Sequence, residues 1–150
     1  SNQRKGVHMF IDAAKLLQEN ERYVFVNIGY DGKTIDLPNF IGIPYVSDQK
    51  ELRDIYASAD MYVCTSTDDA LPNACVEAMS CGTPITAFNI SGMPYLAKPP
   101  VLTLIDNISS QGIVDSLSRI DKKTEELVGV CRNEAVKKYK FSDFADAILA

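Results

Sequence analysis

The sequence predicts an α/β protein whose strands form a doubly wound parallel sheet. Short apolar runs typical of buried strands alternate with segments whose apolar residues recur at helical spacing. The runs are apolar along their whole length, as expected of strands that helices cover on both faces. A chain of 150 residues is long enough for one such domain with a substantial core.

Apolar patterning predicts the first helix and the first two strands. Residues 6–20 have the spacing of an amphipathic helix. Its apolar face carries Phe10, Ile11, Ala14 and Leu17. The runs 23–28 and 39–43 are too short for helices and are predicted to be strands, the first of them ended by Gly29.

Signals at helix ends place the next elements. Ser47 is predicted to cap a helix that runs through Ser58. The inner face of this helix carries Leu52, Ile55, Tyr56 and Ala59. A buried strand over 61–64 follows, and then a helix over 72–81, bracketed by a proline at its start and a glycine past its end.

Two further strands and a helical end complete the pattern. The strands are predicted over 84–88 and 101–105. From Ser109 onward the apolar spacing is helical in two segments, and a last helix over 141–149 is predicted with Ser142 as its cap.

The order of elements predicts that the first strand of the sheet is missing. A doubly wound domain opens with a strand, whereas this chain enters a helix almost at once. Two arrangements are expected to compensate. Either the domain pairs with a copy of itself across the gap, or strands 23–28 and 61–64 pair directly.

Composition argues against several classes of protein. With a net charge of −5 and basic residues scattered among acids, broad binding to nucleic acid is not expected. The apolar runs are far shorter than the roughly 20 residues of a membrane helix, and no secretory leader is visible. The four cysteines do not have the spacing of zinc ligands, so no metal site is expected. They are expected to be free thiols in a reducing cytosol. Ser1 and Asn2 read as the remainder of a cleaved tag.

The stretch CTSTDDALPNACVEAMSCGTPITAF, residues 64–88, carries the chemistry of the chain. The loop 65–71 is predicted to lie at the carboxyl end of a strand, where ligands bind in open α/β sheets. The N–H groups of Asn73, Ala74 and Cys75 begin the next helix, have no helical partner and attract an anion such as phosphate.

Two carboxylates flank this anion seat, the group of free N–H donors at the start of the helix. Asp69 ahead of the helix and Glu77 inside it can accept hydrogen bonds from the hydroxyls of two sugar rings on either side of a diphosphate, which describes a nucleotide sugar. Asp68 and Asp69 fit equally well as charges that favour the helix dipole. Glu77 fits an exposed mid-helix acid less well, because its neighbours are largely apolar and an acid there needs a partner.

These residues closely resemble the donor-site signature of retaining glycosyltransferases of family four, which have the GT-B fold. The signature pairs two acids, Asp69 and Glu77 here, with the Cys-Gly-Thr-Pro turn over 81–84. RKGVHMFIDAAKLL, FIGIPYVSDQKELRDIYASADMYVCTS and KYKFSDFADAIL resemble other parts of the same family. The resemblance spans nearly all of residues 1–150. It implies a single Rossmann-like, carboxyl-terminal donor-binding domain whose amino-terminal, acceptor-binding partner domain is absent.

The resemblance assigns roles residue by residue. Glu77 binds the ribose hydroxyls, Asp69 the transferred sugar and Lys5 the diphosphate, with help from Arg4 and from backbone groups of Leu71, Asn73 and Ala74. The family usually has glutamate where Asp69 stands, so Asp68 can share that contact. In NISGMPYLAKPP, Tyr95 replaces the acid of a family loop. Arg4 fits an exposed residue at a frayed end better than a phosphate ligand.

The implied activity is transfer of a hexose from a UDP- or GDP-sugar to a saccharide or lipid-linked acceptor, in bacterial polysaccharide or glycolipid biosynthesis. No cofactor or metal is implied. The complete enzyme is expected in the cytoplasm, at the inner face of the membrane, whereas this fragment alone is expected to be inactive. A dimer through the incomplete sheet is a further expectation. The alternative function is a non-catalytic α/β regulatory or partner-binding module.

Overall fold

The computed structural model describes residues 4–30 and 35–139, and every helix and strand expected in that part of the chain is present. In chain order they are α1 (Val7–Leu16), β1 (Phe25–Ile28), β2 (Phe40–Ile43), α2 (Gln49–Ser58), β3 (Tyr62–Cys64), α3 (Asn73–Ser80), β4 (Ile85–Phe88), β5 (Leu102–Ile105), α4 (Ser110–Leu117) and α5 (Glu125–Lys138). The helix expected over 141–149 lies outside the described residues.

The strands are parallel and form two sheets. β1 pairs with β2, and β3, β4 and β5 pair in that order. The expectation that strands 23–28 and 61–64 pair directly is wrong, because no ladder joins β1 to β3 in residues 4–30 and 35–139. In the doubly wound order 3-2-1-4-5-6, strand 1 lies between strands 2 and 4. β1 and β3 correspond to strands 2 and 4 of this order, so their facing edges are not adjacent. Pairing with a second copy stays a prediction.

Helices pack on both faces of the three-stranded sheet, in which β4 is the most deeply buried strand. The expectation of cover on both faces is wrong for β1 and β2, since Val26 and Ile41 on their outer face are 40% and 50% exposed. α1 and α4 pack on one face in a core that includes Phe25 of β1 and Phe88 of β4. α2, α3 and α5 pack on the other face with Ile85 and Ala87. Successive side chains of β4 therefore enter opposite cores, which explains why all four of its residues are buried. Val63 of β3 joins the same core as Phe25, so the two sheets share a core without sharing a ladder.

The amino-terminal cap of α2 is Asp48 and not Ser47. The Asp48 carboxylate accepts hydrogen bonds from the N–H groups of Lys50 (2.7 Å) and Glu51 (3.1 Å). These bonds lower the pKa of Asp48, since they favour its charged form. The sequence offers two competent capping residues in succession, and the one directly before the first helical turn is used.

The turn Cys81–Pro84 connects α3 to β4 and anchors the end of α2. Gly82 has a φ of 85°, the left-handed conformation common just after a helix. Thr83 is fully buried, and its hydroxyl donates to the carbonyl of Tyr56 at 2.5 Å. The Lys123 amine donates to Thr83 Oγ1 (3.2 Å) and to the carbonyl of Ala57. One turn thus fixes the end of α2 against the start of β4.

Gly82→Ala is expected to lower the free energy of unfolding by about 2–4 kcal/mol, because it combines left-handed strain with overpacking against Val128. Urea unfolding measures the difference in the free energy of unfolding from the unaltered protein. Gly129→Ala is the matched control, since a Cβ there meets no atom within 4 Å and alanine favours the interior of α5. We expect that variant to gain up to about 1 kcal/mol. Equal stability of the two variants would contradict the role of Gly82.

Candidate functional site

The segment before α1 is fixed to the carboxyl end of β3. The N–H of Thr67 donates to the carbonyl of Arg4 at 3.0 Å. The Thr65 hydroxyl donates to the carbonyl of Lys5 at 2.6 Å. These bonds hold the backbone of both basic residues, whose side chains are exposed. Lys5 is therefore placed at the edge of the sheet where ligands of this fold class bind.

Arg4 lies beside the acidic loop. Its guanidinium is 3.8 Å from the Asp68 carboxylate, and the two side chains are 75% and 68% exposed. An ion pair this exposed contributes little to stability. The exposure agrees with the surface reading of Arg4, whereas the hydrogen bond to its carbonyl shows that its backbone is held.

The loop after β3 touches the segment after β4. A Cβ on Gly92 would overlap the carbonyl oxygen of Ala70, so the two backbones are in direct contact. Asp69 and Leu71 flank Ala70, and both side chains are exposed. The predicted sugar-binding acid therefore projects from a loop whose position depends on a glycine in the neighbouring segment.

The amino terminus of α3 presents free backbone donors. Pro72 is its cap and supplies no side-chain hydrogen bond. Neither Asn73 nor Ala74 donates its N–H within the described part of the chain. The expectation that Cys75 offers a third donor is wrong, because its N–H bonds to the Pro72 carbonyl at 3.0 Å. Two N–H groups remain at the positive end of the helix dipole, where an anion is favoured.

Glu77 is the half-buried acid of the site. Its helical neighbours are buried: Cys75, Val76, Ala78 and Met79. The partner expected for such an acid is Tyr56, whose hydroxyl donates to Oε2 at 3.1 Å. Burial raises the pKa of Glu77, and the bond from Tyr56 opposes that rise by favouring the carboxylate.

The structure brings the predicted site residues to one edge of the sheet. Lys5, Asp69, Leu71, Asn73 and Ala74 lie on adjoining segments, and Glu77 follows one turn into α3. Sequence reasoning missed Tyr56 as a polar contact and placed it only on the inner face of its helix. The available signal was its hydroxyl, since a buried tyrosine hydroxyl usually has a hydrogen-bond partner.

The described residues hold neither a cluster of metal ligands nor a membrane-spanning helix. Among the side chains that the structure describes, no three histidine, cysteine, aspartate or glutamate residues gather as metal ligands would. In the same ranges, no helix has the length and apolar character needed to cross a membrane.

Comparison with known proteins identifies relatives of the chain. Residues 1–122 match a protein family described as glycosyl transferases group 1. A Bacillus subtilis protein named as the teichuronic acid biosynthesis glycosyltransferase TuaC is 25% identical over 117 residues, which cover 78% of this chain and 30% of that protein. The chain thus spans under a third of the length of this relative.

Two solved structures have the same fold. Sucrose-phosphate synthase from Thermosynechococcus elongatus superposes with a TM-score of 0.76 at 19% identity, over 95% of this chain and 40% of that one. Anabaena HepE, solved in complex with UDP-glucose, superposes with a TM-score of 0.64 at 21% identity, over 98% of this chain and 44% of that one.

Gly92→Ala is expected to displace the loop 68–71, because a Cβ cannot occupy the space of the Ala70 carbonyl. The amide chemical shifts of Asp69 and Leu71 should change in NMR spectra. The free energy of unfolding should fall by about 1–3 kcal/mol. Gly129→Ala again serves as the control, since a Cβ there has open space. Unchanged loop amides in Gly92→Ala would show that the contact does not hold the loop.

Proposed function

The chain belongs to the glycosyl transferases group 1 family, and we propose that it is the domain of such an enzyme that binds the nucleotide-sugar donor. The GT-B structures that it matches support this proposal at the level of the fold. The narrower membership of family four, with its retention of configuration at the sugar, is part of the proposal. Family membership gives no support to the alternative of a non-catalytic regulatory module.

The observation that carries the proposal is the uncapped start of α3. Its two free N–H groups, from Asn73 and Ala74, lie in the segment that follows the acidic loop. The Lys5 backbone is bonded to the same strand end, which leaves its amine available for the same anion. A diphosphate matches this combination of backbone donors, helix dipole and lysine.

The two acids are proposed to bind the two sugar rings of the ligand. Glu77 is the proposed ribose ligand, because Tyr56 occupies Oε2 and leaves Oε1 to accept from hydroxyls. Asp69 is exposed in front of the helix, where it can accept from hydroxyls of the transferred hexose, with the backbone of Leu71 nearby. Asp68 is less suited to this contact, since its carboxylate lies toward Arg4.

UDP is the first nucleotide to test, and GDP the second. HepE was solved with UDP-glucose, with UDP and glucose, and with UDP, which supports a uridine nucleotide for a protein of this fold. The name of the Bacillus subtilis relative refers to teichuronic acid biosynthesis, which supports an acceptor in polysaccharide synthesis. A lipid-linked acceptor in glycolipid synthesis is the other form of the proposal.

In the reaction, this domain would hold the leaving group. Negative charge grows on the departing nucleoside diphosphate, and Lys5 and the dipole of α3 stabilise it without a metal ion. Asp69 orients the sugar. The acceptor site is proposed to lie on another domain that closes over this one, so the present chain is expected to bind donor without transferring sugar.

The proposal also covers the cellular location, membrane association and dimerisation of the enzyme. A cytoplasmic location is supported by the four cysteines, all of which are free thiols. Association with the inner face of the membrane is proposed for the longer protein only. Dimerisation through the open edges of β1 and β3 is proposed because each strand keeps one unpaired side in the part of the chain that the structure describes.

The proposal is tested by titrating nitrogen-15 labelled protein with UDP, GDP and their glucose conjugates without magnesium. The amides of Lys5, Asn73 and Ala74 are expected to shift. Glu77→Ala is expected to weaken binding about 10- to 100-fold, since it removes charged hydrogen bonds to ribose.

The control for this titration is Glu134→Ala, which removes another half-buried glutamate from within a helix, in α5. It should bind like the unaltered protein. Absence of shifts with every nucleotide would refute donor binding by this domain. Equal weakening in the two variants would mean that Glu77 acts through charge or stability instead of contact.

A further inference from the structure

Tyr56 connects three elements behind the proposed nucleotide site. It belongs to α2 and is only 7% exposed. Its ring packs edge-on against Tyr62 of β3, with centroids 5.8 Å apart. Its hydroxyl reaches Glu77 of α3. Packing fixes the plane of the ring, so the hydroxyl donates from a defined position.

The backbone of Tyr56 is fixed as firmly as its ring. Its carbonyl accepts the hydrogen bond from Thr83, a fully buried residue of the turn after α3. The Lys123 amine holds the Thr83 hydroxyl from the other side. A rigid chain of contacts therefore runs from the Cys-Gly-Thr-Pro turn through Tyr56 to the Glu77 carboxylate. Buried polar networks of this kind are most rigid when each member is satisfied.

This arrangement orders Glu77 before a ligand arrives. A glutamate side chain that rotates freely must be immobilised when it binds, which lowers affinity. The hydroxyl of Tyr56 restrains Oε2 in advance and leaves the other oxygen to accept. Because ribose presents adjacent hydroxyls, it gains most from a carboxylate already held in place.

We infer that Tyr56 is a positioning residue for nucleotide binding, whose hydroxyl holds the Glu77 carboxylate ready for the ribose hydroxyls. The inference rests on the proposed function and adds a residue to it. Tyr56 does not itself touch the ligand in this scheme. Its effect should therefore depend on the ribose hydroxyls and not on the diphosphate.

The same contact favours the charged form of Glu77, against the larger effect of burial. The titratable groups near it are Tyr56 from α2, Tyr62 from β3, Cys75 of α3, and Cys81 of the turn after α3. Burial is the largest cause that raises the pKa of both tyrosines, and it raises the pKa of Cys81 to about 11, so all three are neutral near pH 7. The pKa of Cys75 is also raised, chiefly by its contact with Cys64. Loss of the Tyr56 hydroxyl should therefore raise the pKa of Glu77 further, since the carboxylate loses a donor.

Tyr56→Phe tests the inference, because it removes one oxygen and keeps the ring against Tyr62. Carbon-13 NMR of the Glu77 carboxyl is expected to show a raised pKa. Affinity for UDP is expected to fall about 3- to 10-fold, and affinity for 2′,3′-dideoxy-UDP to stay unchanged. GDP and its dideoxy analogue replace them if the first titration selects guanosine.

Tyr139→Phe is the matched control, since it also deletes a donating tyrosine hydroxyl, whose acceptor is the backbone carbonyl of Leu96 at 2.7 Å and not Glu77. It should leave the pKa of Glu77 and both affinities unchanged. An unchanged pKa and UDP affinity in Tyr56→Phe, with binding intact in the unaltered protein, would overturn the inference alone. Failure of the unaltered protein to bind any nucleotide would overturn both the inference and the proposed function.

Discussion

The buried hydrogen bond from Thr83 to the carbonyl of Tyr56 is the contact on which the site depends. It joins the end of α2 to the turn between α3 and β4, in surroundings where a lost polar partner is costly. This junction fixes the carboxyl end of α3, and with it the direction of the helix axis and of the free N–H groups at the other end. The Cys-Gly-Thr-Pro turn thus has a structural task that is separate from the ligand contacts on the opposite end of the helix.

Backbone contacts, more than ion pairs, build the anion seat. The carbonyls of Arg4 and Lys5 accept bonds from the loop after β3, and Gly92 lets a second loop touch the first. Charged side chains in the same place are exposed and are held weakly. The backbone of the site is thus held by hydrogen bonds and close contact, while its charged side chains are exposed to solvent.

Local sequence signals predicted most of the fold, because apolar runs, prolines and glycines act within a few residues. They could not choose between Ser47 and Asp48 as a cap, since both side chains suit the position. They also could not exclude pairing of β1 with β3, which depends on the order of strands across the sheet. The site segments followed from the fold class, whereas the bond between Tyr56 and Glu77 joins residues 21 apart and appears only after packing.

The division into two sheets has a consequence for cooperativity. β1 and β2 are attached to the rest of the domain through side chains, with no ladder across to β3 in residues 4–30 and 35–139. Such a unit can open at lower free energy than the larger sheet. Lys5 is held at the larger sheet, because its carbonyl is bonded to Thr65 at the end of β3, and Asn73 and Ala74 begin α3, which packs on the same sheet. An anion bound between them would therefore lie within one folding unit, so local opening of β1 and β2 would leave the anion-binding segments in place.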